Sequence, residues 1–414
     1  MTTAAIDRAH DRDTLHIARQ PILDERGRVF GYELLYRHAA HDSACSADGD
    51  LASARVLTEA ILDLGLDTLT SGHQAFLNVT RPLLLGKLDS LVQPDGVVLE
   101  VLESVAVDNE VIDVCRHLHA RGYRLALDDF VEGSAAETLL SYASFVKVDV
   151  LTTPPAAAAA LASRLSREGI RLLAEKVETR DVFERMRRSG YTLFQGYYFC
   201  RPQIHHGAAL PAQQLAYLRL LAALSKPDLT TAEVERLVKQ DVSLSLRVLR
   251  SVNSAGYPIR REIRSIGQAL VLLGIEPIRK WATVWCLAGL NGGATPELVT
   301  LALLRARTCE LLGEMSTTAG SSELFLVGLF SLLDVMLSRT MTDALDGLPL
   351  SADVLGALEG QTSPLRSVLD AAIAYERGKW DAAASLAAAS GLTPAALADA
   401  HTSALKWVQD ARLA

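Results

Sequence analysis

The chain has 414 residues, with 41 lysines and arginines against 49 aspartates and glutamates and a formal net charge of −8. At about 150 residues per domain this length predicts two or three domains. The 49% apolar content supplies enough material for buried cores, which excludes a disordered chain and a small disulfide-stapled fold. The acidic balance argues against general nucleic-acid binding, which comes with a basic surplus.

Cysteine use and hydropathy indicate a cytoplasmic protein. The five cysteines are odd in number and contain no CxxC pair, so neither a disulfide framework nor a cysteine-rich zinc site is expected. The first residues lack the apolar core of a signal peptide. The longest apolar run, 324–337, contains Asp334 and is too short to span a bilayer. We therefore expect a cytoplasmic location and no association with a membrane.

The first half of the chain alternates short β-rich runs with helical stretches, a pattern typical of βαβ units. Eight strands favour a (β/α)₈ barrel over an open doubly wound sheet, because no glycine-rich nucleotide fingerprint follows the first strand. Only the polar turn DERGR separates the first two runs, so they form a hairpin and the barrel begins with one antiparallel strand. We predict strands at 16–23, 28–37, 74–79, 97–102, 124–130, 145–150, 171–177 and 193–199.

The second half is helical from about residue 213 to 412. Thr230 followed by Glu233 has the spacing of a capping box, which marks the start of one helix. The predicted fold class is therefore an α/β barrel followed by an all-α domain. We predict a flexible N-terminus over 1–15, the barrel over 16–204, a linker over 205–212 and the helical domain over 213–412.

Acidic and amide side chains stand at or near the carboxyl ends of the predicted strands, where (β/α)₈ barrels place their chemistry. Hard oxygen ligands from several strands suit Mg²⁺ or Mn²⁺, and the adjacent Asp128 and Asp129 suit two ions that share a ligand. Any one of these carboxylates alone is more often a solvated loop residue, whereas the pattern of one polar residue per strand favours a joint site. The candidates are Glu33, Asn78, Glu100, Glu103, Asp128, Asp129, Lys147, Asp149, Glu175, Glu178 and Gln195.

The string RQPILDERGRVFGYELLYR resembles the opening of EAL domains, the cyclic di-GMP phosphodiesterase fold, with ELL at 33–35 in place of Glu-Ala-Leu. The strings LNVT, LEVLES, LALDDF, VKVD, AEKVET and FQGYYFCRP follow in the order of the family's later motifs. The resemblance covers about 16–204. It implies a barrel with an antiparallel strand and a divalent-metal site that hydrolyses cyclic di-GMP to linear pGpG.

The resemblance also implies the metal ligands. Glu33, Asn78, Glu100 and Asp128 match the ligands of one Mg²⁺ or Mn²⁺ ion, and Asp128 and Asp129 match those of a second. The implied cofactors are therefore a pair of divalent ions, with cyclic di-GMP as substrate or ligand.

The remaining implied roles belong to the catalytic water, the substrate and one loop. Lys147 matches the lysine that holds the catalytic water, and Glu175 matches a supporting catalytic position. Glu103 matches the glutamate that steadies the loop after the fifth strand. Substrate contacts are implied for Gln20, Arg37 and Gln195.

The sequence departs from the family pattern at several positions, and these departures leave three functional hypotheses open. The Asp pair is followed by Phe-Val-Glu instead of Phe-Gly-Thr, so Val131 replaces a glycine and Glu132 adds negative charge, while Lys176 replaces the glycine of AEGVE. The first hypothesis is a degenerate EAL domain that acts as a regulator by binding cyclic di-GMP or a protein. The second is an active phosphodiesterase that depends on Mg²⁺ or Mn²⁺. The third is a scaffold that binds no nucleotide.

The second half, beginning with SKPDLTTAEVERLVKQD, resembles the HDOD domain, a helical relative of HD phosphohydrolases. An HD hydrolase needs histidines for its metals, and none occurs between His206 and His401, so HD-type hydrolase activity is excluded. The resemblance implies a module that contacts a protein partner. Homodimerisation stays open.

Overall fold

The fold is that of a computed structural model, which describes residues 15–38, 65–86, 92–200, 212–224, 226, 228–252, 263, 265–290, 296–316, 320–348 and 350–412. These residues form two compact units, and the first unit includes Tyr375–Lys379 in addition to the described residues up to 200. Apart from Leu15 and Ala212, the predicted flexible N-terminus and linker lie outside the described residues. No helix in the described ranges is long and apolar enough to cross a membrane.

Eight strands close into a barrel in chain order, as the sequence predicts. Strand β1 pairs antiparallel with both β2 and β8, and the other neighbours pair in parallel. Asp24 fixes the hairpin turn, because its carboxylate accepts hydrogen bonds from the backbone N–H groups of Arg26 (2.8 Å) and Arg28 (2.9 Å). The strands are β1 Leu15–Asp24, β2 Val29–His38, β3 Gln74–Val79, β4 Val97–Val101, β5 Arg124–Leu127, β6 Ala143–Asp149, β7 Arg171–Glu175 and β8 Leu193–Gln195.

Three strands end two or more residues earlier than their hydrophobic runs suggest. Strand β5 ends three residues before the predicted 130, β7 two residues before 177 and β8 four residues before 199. The backbone turns away from the sheet where φ becomes positive, at Asp129 (39°), Lys176 (55°) and Gly196 (149°). Gln195 is therefore the last residue of β8, not a residue near its start.

A layer of apolar side chains fills the barrel below its carboxyl end. Because strand side chains alternate between faces, a residue two positions before an inward-facing residue also points inward, one layer deeper. Phe76 precedes Asn78 in this way, and Phe145 precedes Lys147; their rings pack edge to face at 5.4 Å. The buried layer consists of Ile22, Phe76, Val98, Ala126, Phe145, Leu173 and Leu193.

Short helices and 3₁₀ turns connect the strands. Two of the helices begin with side-chain caps: Asp108 accepts from the N–H of Val111, and Thr179 accepts from the N–H of Val182. The helices are Leu66–Thr70, Arg81–Leu85, Asn109–Ala120, Pro155–Leu165 and Arg180–Arg188, and the 3₁₀ turns are Ala135–Tyr142, Ser166–Glu168 and Tyr198–Cys200.

The second unit is helical, as predicted. The capping box is confirmed, since Thr230 Oγ1 accepts from the N–H of Glu233 while a Glu233 oxygen accepts from the N–H of Thr230. Gly328 lets two helices approach closely, because a Cβ there would lie 2.6 Å from the carbonyl oxygen of Arg305. The helices are Ala212–Leu224, Thr231–Lys239, Val242–Val252, Ile266–Leu273, Ile275–Leu290, Pro296–Met315, Ser321–Phe330, Leu333–Leu337, Met341–Leu345, Ala352–Leu358, Pro364–Glu376, Trp380–Ala389 and Pro394–Arg412.

Replacing Gly196 by alanine is expected to destabilise the barrel by at least about 3 kcal/mol. Its φ of 149° disfavours a side chain, and a Cβ would overlap the backbone of Val177. Gly122→Ala is the matched control, because Gly122 also has a positive φ (89°) but no atom within 4 Å of the added Cβ. We expect a loss of about 1 kcal/mol there. Urea unfolding followed by circular dichroism measures both; equal losses would contradict the steric account.

Candidate active site at the carboxyl end of the barrel

Each of the strands β2 to β8 brings one polar side chain to the same end of the barrel. These side chains lie in the layer directly above the apolar core, because most of them stand two residues beyond a core residue on the same strand. The structure thus places seven of the predicted residues together: Glu33, Asn78, Glu100, Asp128, Lys147, Glu175 and Gln195.

The ammonium group of Lys147 lies at the centre of the four carboxylates. It is 2.9 Å from Asp128 Oδ1, 2.9 Å from Glu175 Oε1 and 3.4 Å from Glu33 Oε2, and it also pairs with Glu100. The Lys147 side chain is 1% exposed and that of Glu100 is 0% exposed, so water screens this cluster little.

Two amides orient the carboxylate of Glu33. Asn78 Nδ2 donates to Glu33 Oε1 at 3.1 Å, and Gln195 Nε2 donates to Glu33 Oε2 at 2.7 Å. Gln195 also donates to Gln20 Oε1 at 3.0 Å. Gln20 stands opposite Glu33 in the β1–β2 register, so the antiparallel strand contributes to the same group of side chains.

The cluster carries more negative than positive charge, and its pKa values reflect this. Burial and the repulsion of Glu33 raise the pKa of Glu100 well above its usual value. Burial raises the pKa of Glu175 to about 8 against the attraction of Lys147. Burial lowers the pKa of Lys147, but the carboxylates, Glu100 foremost, raise it well above the usual value. Lys147 therefore stays charged, and the remaining negative charge favours a proton or another cation.

The donor set fits a hard divalent ion in its chemistry. No three of the described His, Cys, Asp and Glu side chains stand in a metal-ligating arrangement, since Lys147 lies between the carboxylates. Several oxygens nevertheless have no hydrogen-bond partner although they are buried, which is costly without a cation. These oxygens are Asn78 Oδ1, Glu100 Oε2, Asp129 Oδ1, Glu175 Oε2 and Gln195 Oε1.

Asp129 stands beside a second, more exposed lysine. Lys176 Nζ is 2.6 Å from Asp149 Oδ2 and 3.9 Å from Asp129 Oδ2, and its side chain is 51% exposed. Lys176 adopts the left-handed backbone that the expected glycine would favour. Burial and the neighbouring Asp128 raise the pKa of Asp129.

The loop after β5 differs from its sequence expectation. Val131 does not have the positive φ expected at the glycine that it replaces, since the left-handed residues of this loop are Asp129 and Gly133. Glu132 pairs with Arg164 at 3.3 Å, with 55% of its side chain exposed, and so reduces the expected repulsion near the site. Glu103 lines a cavity of about 180 Å³ together with Asp129, which places it beside this loop.

Two observations concern residues outside the central cluster. Arg37 lies on the same face of β2 as Glu33, four residues further along the strand. Sequence reasoning gave no role to Arg377 and Lys379, yet both line a cavity with Glu33 and Glu175. They lie far beyond the last strand in the sequence, so neither strand periodicity nor the pattern of one polar residue per strand places them at the barrel.

Comparison with known proteins identifies two domain families. The EAL domain matches residues 3–202, and the HDOD domain matches residues 210–350. The chain is 32% identical over 399 residues to the uncharacterized protein YuxH of Bacillus subtilis, covering 94% of this chain and 97% of YuxH. It is 33% identical over 371 residues to the cyclic di-GMP phosphodiesterase CdgJ of Vibrio cholerae, covering 89% of this chain and 86% of CdgJ.

The fold and the polar cluster therefore define an EAL-type barrel joined to a helical HDOD domain. The chain belongs to the EAL–HDOD family, and the resemblance noted in the sequence is confirmed. This membership supports a role in cyclic di-GMP signalling.

Similar chains also occur among solved structures. The BlrP1 calcium/cy-diGMP complex of Klebsiella pneumoniae is 28% identical with a TM-score of 0.38, covering 46% of this chain and 56% of that chain. This chain thus spans about half the length of BlrP1. The c-di-GMP complex of the PaMucR phosphodiesterase is 25% identical with a TM-score of 0.37, covering 51% of this chain and 98% of that chain.

Replacing Lys147 by methionine is expected to destabilise the metal-free protein by about 3 kcal/mol or more, because it leaves four carboxylates in a largely buried cluster without their ammonium partner. Added Mn²⁺ should then raise the melting temperature of this variant more than that of the wild type. Lys239→Met is the control, since it breaks only the exposed pair with Glu235 and should cost about 0.5 kcal/mol. Equal losses would contradict the central role of Lys147.

Proposed function

We propose that this chain hydrolyses cyclic di-GMP to linear pGpG with the help of divalent cations. The observation that carries the proposal is the convergence of carboxylates, amides and one buried lysine from seven neighbouring strands, with several of their oxygens lacking partners. The similarity to the phosphodiesterase CdgJ over 89% of the chain also supports it.

The residues divide between holding cations and positioning reactants. Glu33, Asn78, Glu100 and Asp128 would hold one Mg²⁺ or Mn²⁺ ion, and Asp128 with Asp129 a second. When bound, such ions polarise a phosphate and lower the pKa of a water molecule. The ammonium of Lys147 would orient the attacking water, and Glu175 would in turn position Lys147 through their 2.9 Å contact.

The proposed reaction consumes one water molecule. Its oxygen forms a bond to phosphorus while the bond between phosphorus and the 3′ oxygen breaks. The leaving 3′ oxygen takes up a proton, and the new phosphate remains on the 5′ oxygen. The substrate contacts proposed for Gln20, Arg37 and Gln195 would hold the ligand during this step, with Glu103 supporting the loop after β5.

We propose that the helical unit binds a protein partner. Its sequence has no histidine between His206 and His401, so metal-dependent hydrolysis of the HD type lacks its ligands there. The family nevertheless joins this domain to an EAL barrel. Binding of another protein best explains a domain that lacks the metal ligands for catalysis.

A second candidate function is a regulator that binds cyclic di-GMP without cleaving it. The observation that favours it is Lys176, whose ammonium lies 3.9 Å from Asp129 and so competes with a second cation for that carboxylate. The altered loop that contains Val131 and Glu132 points the same way.

Glu33→Ala is expected to lower pGpG formation at least about a hundredfold in the presence of Mn²⁺, because it removes a proposed ion ligand held by two amides. Glu168→Ala removes an exposed carboxylate on the outside of the barrel and should keep wild-type turnover. Chromatographic separation of substrate and product measures both. Binding of cyclic di-GMP by the wild type without any pGpG would contradict the enzyme proposal and support the regulator.

The double variant Val131→Gly with Glu132→Thr tests the loop. If the wild-type loop already supports catalysis, kcat/KM should change by no more than about fivefold, because Glu132 is exposed and pairs outward with Arg164. Val131→Ala is the control for loss of the valine side chain, which is 64% exposed. A large gain in turnover only in the double variant would show that the loop suppresses the reaction.

A further inference from the structure

A cavity of about 420 Å³ opens beside the carboxylate cluster, within the size range of small-molecule sites. It joins Glu33, Glu175 and Gln195 of the candidate site to two basic residues far away in the sequence, Arg377 and Lys379. Both belong to Tyr375–Lys379, which is part of the first unit.

Specific contacts seat this 375–379 segment on the barrel. The N–H of Ile17 donates to the hydroxyl of Tyr375 at 3.2 Å, and Gln20 Nε2 donates to the carbonyl oxygen of Arg377 at 3.4 Å. Gly378 has a φ of 68°, and a Cβ there would lie 2.7 Å from Leu35 Cδ1. The segment therefore has a defined conformation, with a left-handed backbone that favours glycine at this position.

The two basic side chains remain available to an anion. The guanidinium of Arg377 lies 4.4 Å from the centre of the Tyr197 ring, a cation–π contact that fixes its plane and uses none of its N–H groups. Its Nε is buried without a hydrogen-bond partner among the described residues. Lys379 is exposed at the cavity wall and makes no ion pair within the described part of the chain.

Their charge suits the ligand proposed for this cavity. A cyclic dinucleotide carries two phosphodiester groups, and cleavage of one of them at the carboxylate cluster leaves the other to be held elsewhere. A planar guanidinium and a mobile ammonium are the side chains that bind phosphate oxygens best in proteins.

We propose that Arg377 and Lys379 bind the phosphodiester of the cyclic dinucleotide that is not cleaved, so that the 375–379 segment completes the substrate site of the barrel. This assignment rests on the proposed function, because it takes cyclic di-GMP as the ligand of the cavity. It makes substrate affinity depend on residues outside the EAL domain.

The test is calorimetric titration of the full chain with cyclic di-GMP in the presence of Ca²⁺, with product analysis on the same samples. Arg377→Ala should weaken binding about tenfold and Lys379→Ala about threefold, whereas Lys379→Glu should weaken it at least about tenfold. Added salt should weaken binding by the wild type more than by these variants, because a phosphate contact is screened and a packing contact is not. Arg188→Ala removes an exposed charge from a barrel helix and should change nothing.

The Lys379 variants keep the test independent of folding, because they leave the contacts of Tyr375 and Gly378 in place. Wild-type affinity in all three variants would overturn the inference while leaving the proposed function intact. A wild-type protein that does not bind cyclic di-GMP would overturn both. Equal losses in Lys379→Ala and Arg188→Ala would assign the effect to general surface charge and also overturn the inference.

Discussion

The buried ammonium of Lys147 is the interaction on which the centre of the barrel depends. Four carboxylates converge on it in a largely buried site, and separating such charges from their partner costs several kcal/mol. One lysine cannot neutralise four carboxylates. The raised pKa of Glu100 shows how strongly the site resists further negative charge, so cations are the natural complement of this end of the barrel.

The alternation of side chains along the barrel strands explains why the carboxylates and Lys147 lie together. Because side chains alternate along a strand, the apolar layer that contains Phe76 and Phe145 fixes which residues face inward one layer above. The polar residue at that level on each parallel strand therefore points into the same cluster. The antiparallel β1 extends the arrangement, since its register places Gln20 opposite Glu33 and within reach of Gln195.

The sequence predicts the strands, the hairpin and the identity of the clustered residues, because each depends on local periodicity or on one polar residue per strand. It does not predict that Lys147 occupies the space between the carboxylates, since that follows from side-chain packing across the barrel. The turns at Asp129 and Lys176 were also missed, because non-glycine residues rarely adopt positive φ. Arg377 reaches the cavity through tertiary contacts with Gln20 and Tyr197, which no local pattern encodes.

The two lysines of the centre would constrain a bound cation in different ways. Lys147 is 1% exposed and pairs with four carboxylates, so a cation that enters among them must share those ligands with a charge that cannot leave. Lys176 is 51% exposed, and its ammonium lies as far as 3.9 Å from the Asp129 carboxylate. An exposed ion pair at this distance contributes little to the free energy of unfolding. A cation at Asp129 therefore meets only a weak competitor. The lysine at position 176, where the family has glycine, thus changes the charge around the proposed second ion position but leaves Asp129 within reach of a cation.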